Sequence, residues 1–249
     1  RDVLGSRGLG DVYKRQGNKV IGGLSKAFLS NEGYRVVQKG SAFGAIDSTG
    51  AVVIPIEYTN SLTSVNNGRL GVQKNASWFY VDMKGQIVSD KYDRIGNFHQ
   101  GYASVCLNKL WGAIDLQNRV VVPLEWQGVA PIVDPKLIWV KKDNLYYLYD
   151  GVQKSVRLKQ GFANVSNFDN EMAYVMSDGK WGIIDPDGKV LVPCLFEKEE
   201  DMVLAKQYML AEDKKNLTEI EALRVIARFD PDTNMFKITS VIPDKHWDY

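Results

Sequence analysis

The chain has 249 residues, 45% of them hydrophobic and 24% charged, with a net charge of +1. This composition belongs to a globular chain rather than a disordered one, and a charge near neutrality offers no basic face for nucleic acid. No uninterrupted apolar stretch approaches the ~18 residues of a spanning helix, and two histidines, His99 and His246, leave little material for His-based triads or His-rich metal sites.

Residues 1–16 do not read as natural protein. Asp11-Val12-Tyr13-Lys14-Arg15-Gln16 is the translation of GAT GTG TAT AAG AGA CAG, and Ser6-Arg7-Gly8-Leu9-Gly10 that of TCT CGT GGG CTC GGA. Together they resemble a translated sequencing adapter, and such segments are set aside before fold reasoning. Arg1, Arg7, Lys14 and Arg15 outweigh Asp2 and Asp11 by two charges, so the remaining chain is expected at −1. Residues 17–27 come next. Gly17-Asn18-Lys19-Val20-Ile21 resembles the end of an earlier repeat, so the natural gene is expected to continue upstream.

From residue 28 three registers run in phase. Asp47, Asp82, Asp115, Asp150 and Asp185 recur at spacings of 35, 33, 35 and 35 residues. Val37, Val72, Val105, Val140 and Val175 stand ten residues before them, and Phe43, Trp78, Trp111, Tyr146 and Trp181 stand four before. Locked registers of this period mean a tandem array, in which each unit hides its apolar face against the next.

The fifth unit shows the plan of one repeat. Ala173 and Val175 alternate with polar or aromatic positions, as in a half-buried strand. Ser177-Asp178-Gly179 has hairpin-turn chemistry, and Trp181 to Ile184 makes a second strand. Asp185-Pro186-Asp187-Gly188 makes a second turn, with the first Asp placed to accept backbone N–H groups. Val190 to Val192 makes a third strand, expected to end at Pro193, which cannot donate to a ladder. Ile46, Val81, Ile114, Tyr149 and Ile184 form one apolar column across the repeats, and Val53, Val88, Val121, Val156 and Leu191 a second. Pro55, Pro123 and Pro193 are each followed three residues later by an aromatic: Tyr58, Trp126 or Phe196.

Lys180-Trp181-Gly182-Ile183-Ile184-Asp185, Leu110-Trp111-Gly112-Ala113-Ile114-Asp115 and Ala42-Phe43-Gly44-Ala45-Ile46-Asp47 resemble the core of WG repeats, also called KWG repeats, of bacterial proteins. The resemblance covers roughly residues 28–200. It implies a repeat-built protein of bacterial origin and carries over no activity, cofactor or catalytic residue. The second and fourth repeats depart from it, with Phe79 and Tyr147 in place of the Gly.

The expected fold is therefore all-β: about five three-stranded antiparallel meanders over residues 28–200, in an open curved or superhelical array. A closed β-propeller-like ring is the alternative. Residues 201–249 read as a helical C-terminal cap. Asp201 to Ala211 and Thr218 to Phe229 are its expected helices, the second opened by the capping box Thr218-Glu219-Ile220-Glu221, and Phe236 to Ile242 a returning strand.

Candidate sites follow from the repeat. Asp185 and Asp187 around a turn invite a calcium reading, but calcium takes about six to eight oxygens. The other copies offer Ser48, Thr49, Met83, Lys84, Leu116 and Gln117, so turn capping is the expected role of the Asp. The repeated aromatic is expected in the core. Where Gly is lost, Trp78, Phe79 and Tyr80, and Tyr146, Tyr147 and Trp139, form the densest aromatic clusters. Phe79 and Tyr147 would then be exposed, within a surface for a protein or a glycan. Cys106 and Cys194 occupy different repeat positions and read as reduced, partly buried thiols. No catalytic residue, metal site or cofactor is expected. The preferred function is that of a non-catalytic interaction protein; the alternative is an enzyme with its site in a channel, or a fragment whose catalytic domain lies upstream. The compartment stays open, with the cytoplasm preferred.

Overall fold

In a computed structural model the chain is described over residues 23–199, at Val203, Ala205 and Lys206, and as backbone over Val225–Asp230 and Met235–Val241. The adapter-like residues 1–16, residues 17–22 and the capping box at Thr218 lie outside these residues. The chain divides into two compact units, one up to Val133 and one from Asp134.

Alternating β-branched and aromatic residues between Gly- and Asn-containing turns favour short antiparallel strands. In the first unit β1 (Lys26–Ala27), β2 (Tyr34–Lys39), β3 (Ala42–Asp47) and β4 (Val52–Tyr58) form one sheet in that order. β5 (Asn60–Ser61), β6 (Arg69–Lys74) and β7 (Ser77–Asp82) form the next. β8 (Arg94–Ile95), β9 (Tyr102–Leu107), β10 (Leu110–Asp115) and β11 (Val120–Trp126) form the third, and β12 (Gly128–Val129) is the unit's last strand.

In the second unit β13 (Ile138–Lys142), β14 (Leu145–Asp150) and β15 (Ser155–Val156) pair antiparallel. β16 (Asn164–Val165), β17 (Ala173–Ser177), β18 (Lys180–Ile184) and β19 (Val190–Phe196) form the last sheet of the array. Among the described residues, helical backbone is confined to Glu199, Val203, Ala205 and Lys206, and no helix is long and apolar enough to cross a membrane.

The five units are equivalent in register. Val37 pairs with Gly44, Val72 with Phe79, Val105 with Gly112, Val140 with Tyr147 and Val175 with Gly182. All five valines are fully buried, as are the five residues that precede the repeated Asp. The second apolar column is less uniform: Val156, on a strand of two residues, is exposed. In four of the five repeats the hairpin between the first two long strands turns through a pair with positive φ, such as Asn75-Ala76 (53° and 63°) and Asp178-Gly179 (51° and 73°), the type I′ geometry whose twist matches the strands.

Both faces of the second sheet are covered, each by a different neighbour. Phe79 and Val81 join Val36, Ala45, Ile54 and Tyr58 of the first repeat in one core. Tyr80, on the opposite face because strand side chains alternate, joins Phe98, Ala103, Val105 and Ile114 of the third.

Two details depart from the sequence reading. The two-residue strands β1, β5, β8 and β16 add an inner edge to the predicted meanders, within segments too short to show periodicity. The third strand also runs through its proline rather than ending there: Pro55, Pro123 and Pro193 lie mid-strand in β4, β11 and β19. These are edge strands, where a missing donor costs no ladder bond.

Opposite each proline the register shifts, with Phe43 paired to Tyr58 but Ala45 to Ile54. The same shift recurs between β10 and β11 and between β18 and β19. The bulged backbone passes over the glycine. A Cβ at Gly44 would stand 2.6 Å from the Ile54 carbonyl oxygen, at Gly112 2.5 Å from that of Val122, and at Gly182 2.6 Å from that of Val192.

Repeats two and four have no such proline and no such glycine. There the outer segment pairs only in fragments, through Trp78–Tyr92 and Val81–Ile87 in one, and β15 and Tyr146–Phe162 in the other. The array thus alternates between two repeat types, a glycine under a continuous bulged strand and an aromatic under a broken one.

The C-terminal segment corrects the helical reading over 225–229, the part of the expected 218–229 helix that lies within the described residues. Val225–Asp230 is β20, paired antiparallel with β21 (Met235–Val241). Val225, Ile226 and Phe229 are β-branched or aromatic, suited to a strand once a partner exists, and Met235–Val241 supplies one. The strand predicted over 236–242 is present as β21.

Gly112→Ala places a methyl group against the Val122 carbonyl, and overpacking of this kind costs about 1–3 kcal/mol. Urea unfolding of that variant is expected to show a lowered midpoint with an unchanged slope. Gly40→Ala, with nothing within 4 Å of a built Cβ but a φ of +60°, separates the cost of backbone strain from that of crowding.

Candidate functional site

The repeated aromatic has a constant partner. Phe43 pairs across the sheet with Tyr58, Trp78 with Tyr92, Trp111 with Trp126, Tyr146 with Phe162 and Trp181 with Phe196. The outer-strand member is buried in all five pairs, whereas of the inner members only Trp181 is; Phe43, Trp78, Trp111 and Tyr146 are half-buried. Tyr92 and Phe162 escaped the sequence reading because no proline stands three residues before them. The signal available was distance, since each partner lies 14 to 16 residues after its aromatic.

The aromatic clusters at the second and fourth repeats are divided by the fold. Phe79, Tyr80 and Trp139 are buried and leave the predicted surface, while Trp78, Tyr146 and Tyr147 stay half-buried. Phe79 fills the space above the Tyr58 ring, edge-on with centroids 6.1 Å apart. Tyr80 packs on Phe98 and donates its hydroxyl to the Gly96 carbonyl; burial pushes that hydroxyl's pKa far up. Burial likewise pushes Tyr92 up to about 12. Trp139 stacks on Phe168 at 5.7 Å, and its Nε1–H donates to the Ser166 carbonyl at 2.8 Å. Tyr147 lies against Gly161, where a Cβ would stand 2.9 Å from its Cζ.

The repeated aspartates are turn caps. Oδ1 of Asp47 accepts the N–H groups of Thr49 and Ala51 at 2.8 and 3.0 Å. Asp82 takes those of Lys84 and Gln86, Asp115 those of Gln117 and Arg119, and Asp185 those of Asp187 and Lys189. Asp150 caps Val152 and Gln153 instead, in a tighter turn.

Hydrogen bonding favours the charged form. The Thr49 hydroxyl, then backbone donors, lower the Asp47 pKa. Backbone donation from Gln86 leads for Asp82. Burial would raise Asp115, but the Arg119 amide and guanidinium outweigh it and lower the pKa. The second acid of the fifth turn, Asp187, is held by the Arg157 guanidinium, which also lies 3.7 Å from Asp150. Among the described residues no three His, Cys, Asp or Glu side chains gather. Cys106 is buried and Cys194 half-buried, both free, and burial raises both thiols.

A column of aliphatic side chains that faces solvent was missed in the sequence because it adjoins a buried one. Val52, Ile87, Val120 and Val190 stand five residues after their Asp and are all exposed.

Comparison with known proteins gives one family. The model of the WG containing repeat matches residues 43–78, 78–111, 111–146 and 181–198. No curated protein matches the chain.

Three solved structures illustrate the likeness in fold. A eukaryotic initiation factor is 11% identical over 68% of this chain and 54% of that one, with a TM-score of 0.47. Hsv2p of Kluyveromyces lactis is 12% identical over 68% and 62%, with a TM-score of 0.39. A protein of unknown function from Bacteroides caccae is 14% identical over 68% and 80%, with a TM-score of 0.30. The chain spans less than two thirds of the length of the first two.

Because the folded-state pKa values of Asp47, Asp82 and Asp115 are lowered, their contribution is fully present above the unfolded carboxylate value of about 3.9. It is lost as pH falls through the lower folded values. Asp115→Asn keeps an acceptor oxygen but no charge, so its unfolding free energy is expected to depend less steeply on pH than the parent's over about pH 5 to 2. Parallel acid slopes in chemical denaturation series would count against capping by the charged form.

Proposed function

Since this chain belongs to the WG-containing repeat family, we propose that it is a non-catalytic interaction scaffold presenting half-exposed rings to a protein or glycan partner. The observation that carries the reading is the aromatic pair. One ring of each pair is locked in the interior, and in four of five repeats the other keeps part of its surface in solvent. A ring braced from behind loses little conformational freedom when something stacks on it, which favours rigid aromatic anchors at interfaces. Phe43, Trp78 and Trp111 supply three such rings in the first unit and Tyr146 one in the second, where the half-buried Tyr147 stands beside it in sequence. Lys141, 5.2 Å from the Tyr146 centroid, holds a charge beside one of them.

The repeated aspartates are poorly placed to act as general acids. A general acid needs a carboxyl pKa raised towards neutrality; Asp47, Asp82 and Asp115 move the other way, and their oxygens are occupied by turn amides.

The test uses arrays of purified glycans and proteins probed with the parent chain and with Trp78→Ala and Trp111→Ala. Removing an anchor ring is expected to weaken binding about tenfold, with each variant's unfolding curve confirming that the fold survives. Undiminished binding by both variants would place the surface elsewhere. Conversion of a bound glycan to products would make the chain an enzyme.

A further inference from the structure

Four of the five repeats begin with a tight turn closed by a two-residue bridge: Asn31–Tyr34, Asn66–Arg69 and His99–Tyr102 in the first unit, Asp169–Met172 in the second. The two central residues have positive φ in every case.

In the first unit the first two turns are each bonded to the turn one repeat ahead. The Asn31 amide donates to the Val65 carbonyl at 2.6 Å and to Asn66 Oδ1 at 3.1 Å. The Glu32 carboxylate accepts the N–H groups of Asn67 and Gly68 at 2.7 and 2.8 Å. Asn67 Oδ1 in turn accepts the Gly101 N–H at 3.1 Å. These bonds span 34 to 36 residues, one repeat each.

The last turn, at Asp169, has no sixth repeat ahead of it in the periodic pattern. Its carboxylate receives Lys206 Nζ at 2.7 Å, over a separation of 37 residues. Lys206 is buried although it is a lysine, its Nζ also lies 5.7 Å from the Tyr174 centroid, and the adjacent Ala205 is fully buried. A lysine buries its charge only when paired.

The geometry points to Ala205 and Lys206 as a terminal clasp that takes the position of the next repeat's turn. It closes the fifth repeat with one ion pair where earlier repeats use turn-to-turn hydrogen bonds. The turn row reads Asn31, Asn66, His99, Asp134 and Asp169; the Asp134 carboxylate is taken by the Lys136 N–H of its own turn, whereas that of Asp169 receives the Lys206 cation.

Hydrogen exchange of the full chain tests this. Lys206→Glu and Asp169→Lys are each expected to speed exchange of the Ala205 and Lys206 amides up to about tenfold, because the buried ammonium loses its partner or is replaced by a like charge, while the exposed Asp169 side keeps the pair partly screened. The double reversal should return exchange to within about threefold of the parent, since coupled residues are non-additive. Lys206→Gln, a milder change, should fall between parent and reversal. Exchange within β17 and β18 reports that the fifth sheet stays folded in every variant. Unchanged exchange at Ala205 and Lys206 in the single variants would overturn the clasp, as would a double reversal no slower than either single.

Discussion

A three- or four-stranded sheet with apolar side chains on both faces cannot shield itself from water, and this chain is built from five of them. The second repeat makes the constraint concrete. Phe79 and Val81 are buried against the first repeat, while Tyr80 between them is buried against the third. Burying a large side chain is worth about 1.5–3 kcal/mol, so a repeat without neighbours would forgo several such contributions. Stability is shared between adjacent units, and the registers in the sequence exist because each unit must offer its neighbour the same shape.

Within that frame the space over one position of the second long strand decides the form of each repeat. A glycine lets the outer strand bulge across it through a proline, with carbonyl oxygens closer than a Cβ would tolerate. An aromatic fills the same space and the outer strand breaks into short bridges. Gly44, Gly112 and Gly182 alternate with Phe79 and Tyr147 along the chain. The two solutions bury the same outer aromatic, so they are interchangeable to the core but not at the edge. A continuous edge strand carrying proline is a poor template for another strand, which suits an exposed repeat.

The proposed binding role grows from the same arrangement. Each aromatic pair commits one ring to the interior and leaves most of the others partly wet. The repeated Asp is then left to act locally. It ties the turn that launches the outer strand, through amides two and four residues ahead in four of the five repeats. Binding surface, core and turn are thereby divided among three positions of one short motif.

The repeat period, the buried valine column, the type of each strand and the capping Asp were legible in the sequence because they are local or periodic, and five copies average out accident. The family motif was legible for the same reason. What depended on tertiary structure was any property set by a neighbour at long range. Whether Phe79 or Trp78 meets solvent is decided by the adjacent repeat, and whether a strand survives proline is decided by whether its outer side has a partner. Val225–Asp230 carries apolar residues at helical spacing and yet pairs with Met235–Val241, because a strand partner some ten residues away outweighs weak helical propensity. Sequence spacing records which residues must be equivalent; only the packed chain assigns each of them a side.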